Sequence, residues 1–332
     1  MLNYKIDILE EDIKEFSSQV LEILLKDQTT KKNIIWATDN YSVHGFGFAI
    51  DDQIAIESVT GFHRDVVKPR IEKTKENQSM RIREKAEVFT PSWLCNKQNN
   101  LVDNAWFGSN NVFNMETAYG WNSLKEFITF PSKSGKTWQD YVLEPRLEIS
   151  CGEAPYLVSR YDTVTGQFIE IPERIGFLDR KLRVLSENTN DKEEWLSWAY
   201  KAYKSIYGYD WHGDNVLLAR ENLLCTFIDY YALKFNIEPS EEKLLNVAFI
   251  LSWNIWQMDG LKFVIPDSCK NKGCDYIQLS LFDKPAENEI CDGCAKNNRF
   301  LHKGIYCKVM DWDENKEVQF VSLLNNNDGG RP

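Results

Sequence analysis

From about residue 140 to residue 263 the chain alternates between short β-type runs and long helical ones, and this alternation limits the fold more than any other feature. DYVLEPRLEIS reads as a strand ending in a turn. EEWLSWAYKAYKSIY reads as a helix with Trp195, Trp198, Ala199, Ala202 and Ile206 near one face, and IYGYD as a short strand. DNVLLARENLLCTFIDYYALKF is a long helix carrying Val216, Leu217, Arg220, Leu223, Leu224 and Phe227 at helical spacing. SEEKLLNVAFIL is another helix, with Ser240 as N-cap and an acidic first turn. Strands and helices in turn predict an α/β domain with a mainly parallel sheet.

The remaining segments predict three further parts. Residues 1–86 form an N-terminal α+β extension. Within it, Ile6, Ile8, Leu9, Ile13, Phe16, Val20, Leu21 and Leu24 are spaced close to helically from Leu9 onward, and NIIWATD and FGFAIDDQIAIESVTG look like strands joined by a turn. Residues 87–324 form the main domain, with a Cys-rich insertion at 266–304, and 325–332 (NNNDGGRP) read as a disordered tail. The chain holds 39 Lys and Arg against 50 Asp and Glu, a net charge of −11, which excludes diffuse coating of nucleic acid. Residues 64–85 are the exception, with a local excess of basic residues (Arg64, Lys68, Arg70, Lys73, Lys75, Arg81, Arg83, Lys85). They are either a solvated loop or a phosphate-contacting arm. No apolar run reaches the roughly 18 residues of a membrane helix. The acidic start MLNYKIDILEEDIKEF is not a secretory signal, so a cytoplasmic protein is expected.

Four segments carry a resemblance. They are Glu87-Val88-Phe89-Thr90-Pro91; Leu147-Glu148-Ile149-Ser150-Cys151-Gly152-Glu153-Ala154-Pro155-Tyr156-Leu157; Tyr207-Gly208-Tyr209-Asp210; and Asn254-Ile255-Trp256-Gln257-Met258-Asp259-Gly260-Leu261. In order and spacing they resemble the motifs of S-adenosylmethionine-dependent DNA adenine-N6 methyltransferases, above all the modification subunits of restriction–modification systems. The resemblance implies a Rossmann-like class I methyltransferase sheet that binds S-adenosylmethionine at Phe89, Thr90, Glu148, Cys151, Gly152, Asp210 and Asp259. Phe89 and Thr90 would close over the methionine end and Glu148 would face the methionine amino group. Asp210 would hold the ribose and Asp259 the adenine ring. Each assignment makes physical sense at its position. A glycine after the first strand lets backbone approach the cofactor, an acid ending the second strand can accept hydroxyl protons, and ligands of open α/β sheets bind beyond the carboxyl ends of the strands. Ala154 replaces the usual second glycine. Trp93, Trp106, Trp253 and Trp256 read as core residues rather than base-stacking platforms.

In this family the flipped adenine is held by an (Asn/Asp)-Pro-Pro-aromatic motif. That motif is missing: none of the 10 prolines follows Asn or Asp, and none is paired with another. The acid-aromatic cluster near the expected position is Asp311-Trp312-Asp313, so Asp311 and Trp312 are the catalytic candidates, against a plain turn between IYCKVM and EVQFVSLL. The family's later strands and target-recognition domain find no room after residue 324, which makes the sheet incomplete on its C-terminal side. The implied partners are DNA and a second protein subunit that supplies catalysis and sequence reading. The alternative is a catalytically silent homologue acting as a nucleic-acid- or partner-binding subunit.

Five of the 8 cysteines fall between 269 and 307. Cys269-x4-Cys274 and Cys291-x2-Cys294 make two pairs that fit tetrahedral zinc, which predicts a structural, zinc-ribbon-like insertion. Gly273 and Gly293 relieve the bends, and Cys307 and His302 are the substitute ligands. No serine or cysteine nucleophile motif accompanies the 4 histidines. Ser134-Gly135-Lys136-Thr137 lacks the upstream glycine of a phosphate loop.

Overall fold

Ser17 divides the N-terminal helical run in two. Its hydroxyl accepts the N–H of Val20 at 3.3 Å, so the chain forms α1 (Glu10–Phe16) and a second, capped helix α2 (Ser18–Leu25). The computed structural model describes residues 10–75, 78–79, 81, 83, 90–131, 135–269 and 291–324. The two strands expected at 33–60 are not strands but a series of turns and isolated bridges, among them Ile35 with Gln53. The cause is local. The Gln257 side chain takes up both backbone groups of Ile35, accepting its N–H at 2.9 Å and donating to its carbonyl at 2.8 Å. Ala37 then adopts a positive φ, which breaks an extended run.

Next come α3 (Ser92–Phe107), the hairpin β1 (Asn114–Glu116) with β2 (Trp121–Ser123), and α4 (Trp138–Leu143). Here DYVL belongs to a helix rather than a strand, because Thr137 and Asp140 form a capping box ahead of it. The strand begins after Pro145, as β3 (Arg146–Ile149). It is followed by α5 (Phe177–Asn188), α6 (Lys192–Lys204), β4 (Ile206–Asp210), α7 (Gly213–Phe235), α8 (Glu241–Asn254) and β5 (Ile255–Gln257). Beyond them lie the short α9 (Asp292–Lys296), the hairpin β6 (Lys308–Asp311) with β7 (Lys316–Gln319), and α10 (Phe320–Leu323).

The protein is therefore mixed α/β with small sheets. The central one is parallel, in the order β3-β4-β5, with Glu148 opposite Gly208 and Gly208 opposite Ile255. One face, with Glu148 and Ile255, is buried under the helices. The other is covered by the β6–β7 hairpin only over β4 and β5, where Tyr209, Trp256 and Val309 form a small second core. At the β3 edge that face is open: Leu147 and Ile149 are 47% and 65% exposed. A groove of about 670 Å³ runs there between Leu147, Tyr207 and Trp256 on one side and Met310, Trp312 and Phe320 on the other. Trp253 and Trp256 are core, as expected, whereas Trp93 and Trp106 are half-buried. No described helix is long and apolar enough to cross a membrane.

The N-terminal helices share one apolar core with the rest, since α2 packs on α8. The basic segment also contributes inward. Arg81 and Lys73 reach the buried Asp214 at 2.8 and 3.2 Å, and Tyr41 donates to the same carboxylate at 2.6 Å. Burial alone would raise the Asp214 carboxyl, but the two cations outweigh it and hold it well below the ordinary value of 3.8. Asp214→Ala leaves both cations buried without their counter-charge and is expected to cost about 3–5 kcal/mol. Because the native carboxyl is the stronger acid, the contribution of Asp214 is complete above pH 3.8 and is lost as pH falls further. Denaturant melts of both proteins from neutral pH to pH 3 should converge on the acid side. Parallel curves would reject the assignment.

Candidate functional site

Glu148 and Asp210 lie on one face of β3 and β4, two register positions apart near the carboxyl ends of the strands, and the loop leaving β3 folds over both of them. Glu148 accepts the N–H groups of Tyr156 and Leu157 at 3.4 and 3.2 Å. Asp210 accepts Gly152 N–H at 3.0 Å through one oxygen, and His212 N–H and the Asn215 amide at 2.9 and 3.2 Å through the other. The loop reaches this shape through three left-handed residues, Ser150, Gly152 and Ala154, with φ of 49°, 53° and 61°. Only the middle one is a glycine, so two side chains accept a conformation that costs roughly 1–2 kcal/mol each. Strain of this kind collects at ligand-binding turns.

The electrostatics are unfavourable by construction. Burial pushes Glu148 well above its ordinary value of 4.5, and the Asp210 charge pushes it further. Burial also raises Asp210, against the pull of His212 and of the N–H donors. Between them lies Cys151, whose thiol is pushed up first by burial and then by both carboxylates, which makes it an inert wall rather than a nucleophile. Gly208 leaves room for it, since a Cβ there would stand 3.3 Å from the Cys151 sulfur.

Thr90 borders this group. Its carbonyl accepts from the Cys95 thiol and the Thr163 hydroxyl at 3.6 and 3.2 Å, and Cys95 in turn lies near enough to Glu148 to be raised by it, after burial. Phe89 lies outside the described residues. Four expected residues thus converge, Glu148, Cys151, Gly152 and Asp210, while Thr90 is tied to Cys95 and Thr163. Asp259 lies just beyond the carboxyl end of β5 but is turned into its own loop. It accepts Leu261 and Lys262 N–H at 3.0 and 3.1 Å and pairs with the Lys262 ammonium at 3.2 Å. Asp311 and Trp312 are not part of this mouth. They form the β6–β7 turn, where Asp311 accepts Asp313 and Glu314 N–H and the Trp312 indole donates to Asn254 at 2.9 Å. Both belong to the groove beside Tyr207, in the first half of β4. Tyr156, Leu157 and Asn215 were not singled out from sequence. A backbone N–H donor has no signature in a sequence, and an Asn one turn into a helix is common.

The second cluster is at the cysteines. The sulfurs of Cys269, Cys291 and Cys294 lie 3.6, 3.8 and 3.7 Å from His302 Nδ1, and the four ligand atoms are all within 4.8 Å of one another. This Cys3His group could bind zinc. Three of the four expected thiols are therefore assembled, with His302 completing the set among the described residues. Cys274 falls outside them. Cys307 is elsewhere, fully buried, with its thiol donating to the Gln257 carbonyl at 3.4 Å.

No family model, curated protein or solved structure matches this chain.

The raised Glu148 carboxyl has a consequence for stability. Its native form holds a proton more tightly than the unfolded form, so stability falls as pH rises through that range. Glu148→Gln is expected to stabilise the fold at neutral pH, because it removes an ionisation that burial opposes. It should also flatten the decline of Tm as pH rises above 4.5. A variant less stable than the parent at pH 7 would mean that the carboxylate is a structural anchor.

Proposed function

We propose that this chain is an S-adenosylmethionine-binding subunit resembling the DNA adenine-N6 methyltransferases, and that it depends on a second chain for methyl transfer and target recognition. The observation that carries the reading is the convergence of Glu148 and Asp210 at the carboxyl ends of β3 and β4, under a strained loop with Gly152 at its centre. Ligands of parallel α/β sheets bind at that edge. A stability cost concentrated in two buried acids and two left-handed side chains is what a binding site tolerates and a scaffold avoids.

The donor set suits the cofactor. Glu148 would take the methionine ammonium, with Thr90 and Phe89 closing on that end. Asp210 would take the ribose hydroxyls, Cys151 and Gly152 would form the floor, and Asp259 would take the adenine amine. A carboxylate offers about four acceptor directions, and the loop N–H groups use two of them at Glu148. When bound, S-adenosylmethionine supplies an electrophilic methyl group. The protein's own part is to bind and orient it and to keep water from it. The three parallel strands fit one half of a doubly wound sheet, and the open β3 edge, with Leu147 and Ile149 uncovered, is where further strands would join.

The dependence on a second chain rests on the absent Asn/Asp-Pro-Pro-aromatic motif and on the place of Asp311 and Trp312 in a hairpin turn. Isothermal titration of the purified chain with S-adenosylmethionine should give one site. Asp210→Ala should weaken it by about 1–3 kcal/mol, the loss of a charged acceptor. The chain alone should not methylate adenine in duplex DNA. Absence of heat at millimolar cofactor, or unchanged affinity in the variant, would end this reading.

A further inference from the structure

We propose that Cys269, Cys291, Cys294 and His302, through Nδ1, form a structural zinc centre, and that the metal holds the Asp259 turn in place. Tetrahedral zinc, with Zn–S near 2.3 Å and Zn–N near 2.0–2.1 Å, requires each sulfur to stand roughly 3.6 Å from the nitrogen. The three observed separations are 3.6, 3.8 and 3.7 Å. Two glycines fit the ligand loops together. A Cβ on Gly293 would come within 2.6 Å of the His302 backbone nitrogen and Nδ1, and one on Gly304 within 2.8 Å of the Cys269 sulfur. The Cys291 sulfur also accepts the Lys303 N–H at 3.0 Å, an outer contact that steadies a thiolate ligand. On binding, the three thiols release their protons to solvent and the imidazole binds as the neutral ring. With four protein ligands the site is closed to substrate.

A chain of backbone contacts joins this centre to Asp259. Asp259 N–H bonds the Val264 carbonyl at 2.8 Å, and Val264 bridges to Tyr306. Ile265 N–H bonds the Ile305 carbonyl at 2.8 Å, Ile305 N–H bonds the Ser268 hydroxyl at 3.0 Å, and His302 N–H bonds the Tyr306 hydroxyl at 2.9 Å. Cys269 follows Ser268 directly, so the metal closes a ring that runs from the turn to the cluster and back. Among the described residues the lobe has few buried apolar side chains with which to do this. Leu261, Phe300, Leu301 and Ile305 are all exposed. A small lobe of this kind takes its stability from the metal. The consequence for cofactor binding rests on the reading proposed above. The zinc centre itself does not.

The test uses the full chain. Metal analysis should give close to one zinc per molecule, and cobalt(II) in its place should give the visible absorption of a tetrahedral thiolate site. Cys274→Ser should keep the metal, and His302→Ala should lose it or weaken binding at least 100-fold. A folded, metal-free chain would overturn the centre, as would loss of metal in Cys274→Ser with retention in His302→Ala. Should His302→Ala prove insoluble, the imidazole–cobalt coupling in the parent's spectra answers the same question, and its absence overturns the assignment. Hydrogen exchange before and after chelation tests the second half. Amides 259–268 should exchange at least 10-fold faster without metal, with β3 and β4 unchanged, and equal protection would reject the link. If the zinc-loaded chain passes these tests yet ignores S-adenosylmethionine, the cofactor reading falls and the zinc centre stands.

Discussion

The guanidinium of Arg220 connects parts of the fold that have no covalent reason to meet. It is fully buried in α7 and donates to the carbonyls of Leu24 and Lys26 at the end of α2, of Ser252 in α8 and of Ile255 at the start of β5. Burial lowers its pKa to about 10, partly offset by Asp27, so at neutral pH it remains charged. Four carbonyl dipoles take the place of its water. This fixes where β5 begins, and with it the register of Gly208 against Ile255 and of Asp210 against Gln257. Gln257 then engages Ile35, and Asp210 engages the β3 loop. The geometry of the acidic mouth thus descends from one buried cation on a helix.

Three buried acids near the carboxyl ends of β3 and β4 differ in their electrostatic logic. Asp214, in the first turn of α7, is buried with two cations and stabilises the fold. Asp210, four residues earlier, and Glu148 are buried with N–H donors and a neighbouring like charge, and they oppose it. All three are buried, and in all three burial opposes the charge. What separates them is that Asp214 meets two permanently charged side chains, whereas Asp210 has only the His212 ring at 3.7 Å and Glu148 relies on backbone N–H groups. The basic segment sends Arg81 and Lys73 to Asp214, and the strand ends are served by N–H donors and, at Asp210, by the His212 ring. That division is intelligible if the strand ends must accept a cationic or hydroxyl-bearing ligand, and hard to explain as packing alone.

Much of this was legible in the sequence where a signal was local and strong. The long helix of Arg220, the helix after Ser240 and the IYGYD strand were all evident from periodicity. Ser240 holds the N-cap position, although its hydroxyl accepts from the Lys243 ammonium rather than from a backbone N–H. Readings failed where a distant side chain overrode the local preference. NIIWATD has strand composition, but Gln257, more than two hundred residues away, takes its hydrogen bonds. DYVL has strand composition too, but the Thr137 cap came first. In the acidic mouth, residue types were legible and orientation was not. Asp210 turns to the β3 loop, whereas Asp259, equally marked by its motif, turns to Lys262. The same holds at the cysteines: spacing paired the thiols, but only the fold brings His302 to them.

The two clusters meet at β5. That strand is three residues long, carries the register of the parallel sheet on one side, and runs on through Met258 into the Asp259 turn and the lobe that ends in the Cys3His group. A strand this short has few ladder bonds with which to resist motion at its carboxyl end. Its position therefore depends on what holds it at each end. Arg220 is the anchor at the amino end, through the Ile255 carbonyl. At the carboxyl end Met258 N–H bonds the Asp210 carbonyl at 2.9 Å, after which the chain leaves the sheet for an exposed lobe. Asp259 is held relative to Asp210 by that bond, by its own N–H to the Val264 carbonyl, and by the small core of Met258, Ile265, Cys307 and Val309 beneath it; the Cys3His group stands on the far side of the lobe that these contacts begin.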